Sequence, residues 1–531
     1  MATRKLPIGI QDFIGIRQDE YLYVDKTDLI HKMVSQGRSY FLSRPRRFGK
    51  SLLLSTLGAY LEGRRELFAG LALERLETEW TVYPVLRLDF NAGIYDEGKP
   101  ALVKVLQDQL LYCAKKYGVE LETENPASMF WKLVPALHER IGHRVCVLID
   151  EYDKPLLATL GNSTLYEGQT LHAGMKSILK PFFGVLKSVD AHLKFAMLTG
   201  VTKFSQVSVF SDLNQLIDLT LHPDYATLCG ITEEELQRNF KTELTALAEA
   251  QKLTPEACLE KTRFWYNGYR FEENSKSVYN PFSTLNLFER KKFESFWFAT
   301  GTPTFLVELL KKSDYDLRDI DMVQLPAEDF ANYRAEADRP IPVIYQSGYL
   351  TIKDYDPELR IYTLGYPNAE VKYGFLHFIS ADYLYDNRNE TGLHIARFSQ
   401  EIRAGDPEAF LNRLKVFFAG IPYELNDKTE RHYQVVFYLV FKLLGQFVEA
   451  EISSAKGRAD AMVSCKDYLY LFEFKLKGTA EEALRQIDEK GYLLPYAASG
   501  RTLYKIGVEF DPVARNLGRW IIRKDPPSLR S

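Results

Sequence analysis

Cysteine is scarce in this chain of 531 residues, and none of the five cysteines belongs to a C-x-x-C pair. They are scattered singly at Cys113, Cys146, Cys229, Cys258 and Cys465. This scatter argues against a zinc site and against a disulfide framework. It is typical of a protein kept in a reducing compartment, so we expect a cytoplasmic location.

Two other features are missing: a long apolar run and an excess of charge of one sign. No uninterrupted apolar stretch approaches the length of about 18 residues that a membrane-spanning helix needs. The first residues contain no apolar signal core, so we expect neither secretion nor contact with a membrane. The net charge is -4, from 67 basic and 71 acidic residues, so binding to nucleic acid would depend on local basic patches.

The composition is that of a globular protein with several domains. Apolar residues make up 46% of the chain and charged residues 26%. A length of roughly 150 residues per domain predicts about three domains. We place them at 1–210, 211–390 and 400–531, because polar segments at 386–392 and 404–407 indicate a boundary.

A basic, glycine-containing string at residues 44–51 lies between a short apolar run and a leucine-rich helical pattern. The phosphate-binding P-loop is written G-x-x-x-x-G-K-[ST], and its backbone N–H groups wrap a phosphate at a helix N-terminus. Gly49, Lys50 and Ser51 fit the last three positions, whereas Arg44 stands in place of the first glycine. In an ATP site Lys50 would reach the β- and γ-phosphates, and Ser51 would bind Mg²⁺. The alternative is a basic surface loop before a helix.

A second motif follows about a hundred residues later. Residues 145–149 form a continuous apolar run, as in a strand buried on both faces, and the run ends in Asp150 and Glu151. This is the Walker B pattern, in which Asp150 holds Mg²⁺ through water and Glu151 polarises the attacking water. An acidic loop after a core strand is the alternative interpretation.

Three further residues are candidates for contact with the nucleotide. A third apolar run, at 195–198, ends in Thr199, and a polar side chain at this place could sense the γ-phosphate. A plain turn after a strand explains Thr199 equally well. Arg44 and Arg47 are near enough in sequence to contact phosphate.

The strings 41–51, 148–153 and 198–200 resemble the bacterial AAA-ATPase-like family, in which the first P-loop glycine is also substituted. The resemblance covers about residues 5–210 and implies a P-loop ATPase core that binds ATP. The alternation of strand and helix patterns independently predicts a three-layer α/β domain with a parallel sheet.

The middle region reads as helices followed by two strands. The aromatic segment 264–271 contains an Asn-Gly pair and predicts a hairpin. Strands at 349–353 and 360–364 flank an Asp-Pro turn. Helices followed by such a two-stranded wing suit a winged-helix-like module, and a simple helical lid is the alternative.

The C-terminal region contains a second group of charged residues. The strand predicted at 468–475 carries Glu473 and Lys475 on one face, and a hairpin would bring Asp460 against Glu473. Two carboxylates there can hold Mg²⁺, while the lysine orients or activates water for attack on a phosphodiester. An exposed strand face with an ion pair is the alternative, but the apolar flanks of Glu473 favour the metal site.

This stretch resembles the PD-(D/E)xK nuclease superfamily and implies a C-terminal α/β restriction-endonuclease-like domain. The resemblance implies that Asp460 and Glu473 are metal ligands and that Lys475 is the catalytic lysine. It also implies that Glu430 is the acid of the first helix and Gln486 the polar residue of the following helix.

Taken together, these motifs predict a protein that binds and hydrolyses ATP with Mg²⁺. The nucleotide bound in the first domain would gate cleavage by a metal-dependent nuclease domain. DNA is the expected partner, and a homo-oligomer is plausible because ATPases of this type often complete their sites from a neighbouring subunit. One alternative is a non-catalytic, ATP-dependent switch whose nuclease fold only binds nucleic acid or a partner. The other is a scaffold that uses both folds for packing alone.

Overall fold

The computed structural model describes residues 4–95, 97–160, 165–166, 169–203, 215–298, 306, 310, 315, 320–331, 340–384, 388–419, 430–445, 449–452, 460–475, 477–496, 499–511, 513–514 and 516–525. The chain divides into two compact units: Met1–Tyr315 with Asp321–Val371, and Asp316–Ile320 with Lys372–Ser531. Among the described residues, no helix is both long enough and apolar enough to cross a bilayer.

The first unit alternates strands with helices. Its strands are β1 Ser39–Ser43, β2 Val85–Asp89, β3 Val145–Asp150, β4 Leu165–Tyr166, β5 Gln169–Thr170, β6 Leu193–Gly200, β7 Ile217–Asp218, β8 Ile231–Thr232, β9 Val278–Tyr279, β10 Val323–Pro326, β11 Thr351–Asp356 and β12 Ile361–Gly365. Its α-helices are α1 Phe13–Gln18, α2 Thr27–Gln36, α3 Lys50–Leu61, α4 Ala72–Leu76, α5 Lys99–Lys116, α6 Pro126–Ile141, α7 Lys154–Ala158, α8 Leu171–Ser188, α9 Glu233–Asn239, α10 Lys241–Gln251, α11 Pro255–Tyr266, α12 Pro281–Arg290, α13 Ala327–Ala331 and α14 Pro340–Gln346.

A five-stranded parallel sheet in the order β2-β3-β6-β1-β7 forms the centre of the first unit. Alternate residues of β3, Val145, Val147 and Ile149, pack in one core with helices α5, α6 and α8. The intervening Cys146 and Leu148 are buried too, because both faces of the strand are covered. This confirms the predicted α/β fold with a parallel sheet, in which a continuous apolar run marks a central strand.

The middle of the chain is helical, as predicted, but the aromatic hairpin expected at 264–271 is wrong. Its first three residues are the last turn of α11, which ends at Tyr266, and Asn267 is the C-cap. Helix formation prevails because Thr254 caps the N-terminus, accepting a hydrogen bond from the backbone of Ala257. Only Tyr269 bridges to another strand, at Val278.

The two strands expected near 350 and 360 are present as the antiparallel pair β11 and β12. A strand that was not predicted, β10, pairs with β12 and completes a three-stranded sheet. The sheet order β10-β12-β11 contains the expected wing, and the assignment to a winged-helix-like module remains a prediction.

The second unit combines helices with a mixed sheet. Its helices are α15 Ala369–Leu384, α16 Arg388–Ala404, α17 Pro407–Ala419, α18 Glu430–Leu444 and α19 Ala480–Lys490, and its strands are β13 Glu449–Ile452, β14 Ala461–Ser464, β15 Tyr468–Lys475, β16 Thr502–Asp511 and β17 Asn516–Asp525. The strands follow one another in the order β13 to β17, and only β15 and β16 are parallel. Apart from Asp316–Ile320, this unit begins at Lys372, and the three predicted domain ranges stay a prediction. The mixed α/β architecture of the C-terminal region is confirmed.

Candidate functional site

The loop at 44–51 connects β1 to α3, as the P-loop pattern predicts. Gly49 has φ 92° and Arg47 has φ 67°, so these two residues provide the left-handed turns of the loop. Arg44 is not in this region of φ. The backbone at the position of the missing first glycine therefore has no need of glycine, which explains how arginine is accommodated there.

The side chain of Arg44 is almost completely buried, with 1% of its surface exposed. Its guanidinium donates to the carbonyls of Ser43 (2.8 Å), Thr220 (2.9 Å) and Tyr225 (3.2 Å). It also lies over the ring of Phe271, 4.1 Å from the centroid. These contacts hold Arg44 within the protein and direct it away from the cavity that the loop borders.

The side chain of Lys50 is buried at the start of α3. Its ammonium donates to the carbonyl of Arg44 (3.1 Å) and to that of Pro45 (3.3 Å), and it lies 3.2 Å from a carboxylate oxygen of Glu151. Lys50 thus connects the loop to the end of β3.

The carboxyl ends of β3 and β6 bring polar side chains together. The hydroxyl of Thr199 donates to Oδ1 of Asp150 at 2.7 Å, and the backbone N–H of Glu151 donates to the same oxygen at 3.0 Å. Burial raises the pKa of Asp150, while hydrogen bonds from Ser51 and Thr199 act in the opposite direction. Glu151 itself has φ 49°, so the chain turns sharply after the strand.

Asp153 is a buried carboxylate that sequence analysis did not single out. It accepts hydrogen bonds from the backbone of Val201 (3.1 Å) and from the backbone (2.6 Å) and hydroxyl (2.7 Å) of Thr202. Burial raises the pKa of Asp153. Because these bonds join the loop after β3 to the residues after β6, they set the course of both loops.

A cavity of about 480 Å³ opens beside this group, a size typical of small-molecule sites. It is lined by Pro7, Gly9, Ile10, Gln11, Arg46, Arg47, Gly49, Lys50, Ser51, Leu52, Asp89, Asn91, Glu151, Lys154, Leu157, Val201, Pro281, Phe282 and Leu285. The cavity therefore contains most of the nucleotide-contact residues expected from the sequence, together with Lys154, which was missed. Arg44 does not line it, and Asp150 and Thr199 lie next to Ser51 and Glu151 rather than on the wall.

A second group of charged residues lies in the C-terminal unit, where β14, β15 and α19 meet. Asp460 precedes β14 directly, and its Oδ2 accepts from the backbone N–H of Phe474 at 2.8 Å. The ammonium of Lys475 lies 3.2 Å from Oε1 of Glu473 and 2.6 Å from Oε1 of Gln486. The amide of Gln486 also donates to Glu473. The structure thus brings together four of the five residues expected here.

Glu430 is the fifth residue. It begins helix α18, and its side chain lies outside the described residues.

The geometry of α19 depends on a glycine in β16. Gly507 pairs with Glu473 in the parallel register, and a Cβ at Gly507 would overlap the carbonyl of Ala480. The absence of a side chain lets α19 pack directly on the sheet, which places Gln486 beside Glu473.

The carboxylates of this group are in a setting that suits a cation. Glu473 is 2% exposed, and in the part of the chain that the structure describes its buried Oε2 has no hydrogen-bond partner. Burial raises the pKa of Glu473, and the nearby Asp460 raises it further. Burial also raises the pKa of Asp460. A bound cation would satisfy this oxygen, and two carboxylates suffice for Mg²⁺, which keeps several waters. The described residues contain no group of three or more His, Cys, Asp or Glu side chains arranged to hold a metal.

Comparison with known proteins relates both regions of the chain to described families. Residues 7–210 match the AAA-ATPase-like family, described as "Predicted AAA-ATPase", and residues 428–520 match the PD-(D/E)XK nuclease superfamily. The chain is similar to the "Uncharacterized protein in vnfD 5'region" of Azotobacter chroococcum mcd 1, with 36% identity over 549 residues that cover 98% of this chain and 99% of that protein. The chain therefore belongs to the AAA-ATPase-like family and carries a C-terminal domain of the PD-(D/E)XK nuclease superfamily.

Proposed function

We propose that this protein binds and hydrolyses ATP in the cavity around Lys50 and cleaves DNA by a metal-dependent reaction at Glu473. The observation that carries the nuclease proposal is the buried Oε2 of Glu473, which has no hydrogen-bond partner among the described residues although Lys475 lies beside the other oxygen. Burying a carboxylate with an unpaired oxygen is unfavourable, and a bound cation would offset that cost.

In the ATP site, the backbone at Gly49 and the ammonium of Lys50 bind phosphate oxygens, and the exposed Arg47 adds positive charge at the rim. Ser51 would bind Mg²⁺, and Asp150 would hold the ion through one of its waters. Glu151 orients the attacking water and accepts its proton. The water oxygen bonds to the terminal phosphorus while the bridging P–O bond breaks, which yields ADP and inorganic phosphate.

Two further residues of the ATP site have indirect roles. Thr199 holds Asp150 through a 2.7 Å hydrogen bond, so it would respond to a change in the terminal phosphate. We assign Arg44 to the support of the loop, because its two terminal guanidinium nitrogens donate to three carbonyls and its side chain is buried.

In the nuclease site, Asp460 and Glu473 would hold Mg²⁺, which as a Lewis acid polarises a phosphodiester and lowers the pKa of water. Lys475 orients the attacking water, and Gln486 holds Lys475 and Glu473 in their positions through hydrogen bonds. Glu430 is the acid that the superfamily pattern assigns to the first helix. Nucleotide state in the first unit would gate cleavage in the second, in a monomer or a homo-oligomer.

All five cysteines are free, and four of them are buried. Free thiols are stable in a reducing compartment, which supports the proposed cytoplasmic location.

The experiment is cleavage of supercoiled plasmid and of single-stranded DNA with Mg²⁺ or Mn²⁺, with and without ATP. Wild type is compared with Glu473→Gln and Lys50→Ala, and with Glu489→Gln, an exposed glutamate of α19, as the matched control. We expect cleavage by wild type and the control, loss of cleavage in Glu473→Gln, and an altered ATP response in Lys50→Ala. If no metal supports cleavage while ATP still binds, the protein is the non-catalytic switch. If ATP does not bind either, the scaffold interpretation stands.

A further inference from the structure

The cavity of the ATPase unit contains more positive charge than its carboxylates neutralise. Arg46, Arg47, Lys50 and Lys154 line it, and Lys50 is paired with Glu151. In the described part of the chain, the other three cations have no carboxylate within ion-pair distance, and Arg47 lies over the ring of Phe282. A cavity of this kind is built for an anion with several charges.

Lys154 differs from the two arginines in its position. Arg46 and Arg47 are exposed residues of the phosphate loop itself. Lys154 is half-buried and comes three residues after Glu151, so it lines the cavity from the segment that follows β3 rather than from the loop. In P-loop enzymes the carboxylates at the end of this strand act at the terminal phosphate, so Lys154 belongs to the part of the cavity where bond cleavage would occur.

The backbone holds Lys154 in place. Its N–H donates to the carbonyl of Glu151 at 2.9 Å, closing a turn that begins with the left-handed φ of Glu151. The preceding residue, Asp153, is anchored by Val201 and Thr202. The backbone that carries Lys154 is thus fixed before a ligand binds, so the contact starts from a defined Cα position.

We propose that Lys154 is a catalytic residue of the ATPase that contacts the terminal phosphate of ATP from within the same chain. The proposal rests on the ATPase function proposed above and deepens it. As the water oxygen bonds to the terminal phosphorus and the bond to the leaving ADP oxygen breaks, negative charge on the terminal phosphate oxygens is stabilised by the Lys154 ammonium. In other ATPases an arginine from a neighbouring subunit stabilises this charge, and here Lys154 of the same chain does so.

The test compares wild type with Lys154→Ala, Lys154→Arg and the exposed Lys187→Ala as matched control, by calorimetric titration with ATP and with ADP and by phosphate release. Thermal unfolding confirms that each variant is folded. We expect Lys154→Ala to weaken ATP binding about tenfold with little effect on ADP, and to slow hydrolysis about 100-fold. Lys154→Arg keeps the charge and recovers most of the rate, and Lys187→Ala behaves as wild type.

Mixing Lys154→Ala with Lys50→Ala chains tests whether the contact is made within one chain. Because each chain then lacks a residue of the same site, we expect no recovery of hydrolysis in the mixture, and recovery would overturn the same-chain assignment. Equal weakening of ATP and ADP in Lys154→Ala, or wild-type behaviour of that variant, would overturn the contact with the terminal phosphate. If wild type binds neither nucleotide, the proposed ATPase function itself fails, which is a distinct result.

Discussion

The ammonium of Lys50 lies 3.2 Å from the carboxylate of Glu151, in a setting where 3% of the lysine and 16% of the glutamate side chain are exposed. Lys50, which is expected to bind phosphate, is therefore paired with Glu151, which is expected to polarise the attacking water. ATP binding would replace the carboxylate by phosphate oxygens as the partner of Lys50, which frees Glu151 for the water. In the proposed ATPase reaction, this one ion pair would couple occupancy of the site to activation of the base.

Exchange of Glu151 for glutamine separates binding from hydrolysis. We expect Glu151→Gln to bind ATP at least as tightly as wild type, because Lys50 no longer has a charged competitor, and to hydrolyse it at least about 100-fold more slowly. Calorimetric titration and phosphate release measure the two effects, with the exposed Glu139→Gln as control. Unchanged hydrolysis in Glu151→Gln would remove this residue from the mechanism.

Arg44 and Arg47 make a matched pair, because one is buried and one is exposed in the same loop. Lysine cannot reach three carbonyls and stack on Phe271 as the guanidinium of Arg44 does, so Arg44→Lys should lower the free energy of unfolding by about 2 kcal/mol. Arg47→Lys should leave stability within about 0.5 kcal/mol of wild type. Chemical denaturation measures both. If Arg44→Lys weakens ATP binding without loss of stability, Arg44 is a ligand contact after all.

Glu370 gives the first unit a defined pH dependence. It is fully buried, accepts a hydrogen bond from the backbone of Trp297 at 2.7 Å, and burial raises its pKa to about 7. Since its pKa in the unfolded chain is near 4.5, the folded protein binds the additional proton between these values. The contribution of Glu370 to stability is thus fully present below about pH 4.5 and is lost as the pH rises to about 7.

The variant Glu370→Gln should remove this dependence. We expect its free energy of unfolding relative to wild type to rise between pH 5 and pH 8, by up to about 3 kcal/mol. Thermal or denaturant unfolding at each pH provides the comparison, with the exposed Glu358→Gln as control. A constant difference across this range would show that the pKa of Glu370 is not raised in the folded protein.

Metal binding at Asp460 and Glu473 should be visible without a nuclease assay. Mg²⁺ or Mn²⁺ should raise the unfolding temperature of wild type and of Glu489→Gln, but not that of Glu473→Gln, because a ligand of the folded state stabilises it. The effect should weaken as the pH falls from 7 to 5, since burial raises the pKa of both carboxylates and protons then compete with the metal. An equal shift in Glu473→Gln would place the cation elsewhere.

Much of this protein was determined by local sequence. The apolar run 145–149 can be satisfied only as a strand covered on both faces, and it is the central strand β3. Gly49 must adopt a left-handed φ at the start of α3, which its place in the motif already implied. Alternation along β15 likewise put Glu473 and Lys475 on one face, and they form an ion pair.

Other features depended on contacts between distant segments, which no local pattern contains. The aromatic segment 264–271 did not form the expected hairpin because its first three residues belong to helix α11, which ends at Tyr266. Arg44 was expected at phosphate, but carbonyls near residues 220 and 225 and the ring of Phe271 hold it inside the protein. Lys154 emerged as a cavity residue only when β3, the P-loop and residues 281–285 were folded together. Local sequence thus determined the strands, the turn and the charged motifs. Tertiary structure decided which charged side chains line the cavity, because segments far apart in the chain set the burial and the hydrogen-bond partners of each side chain.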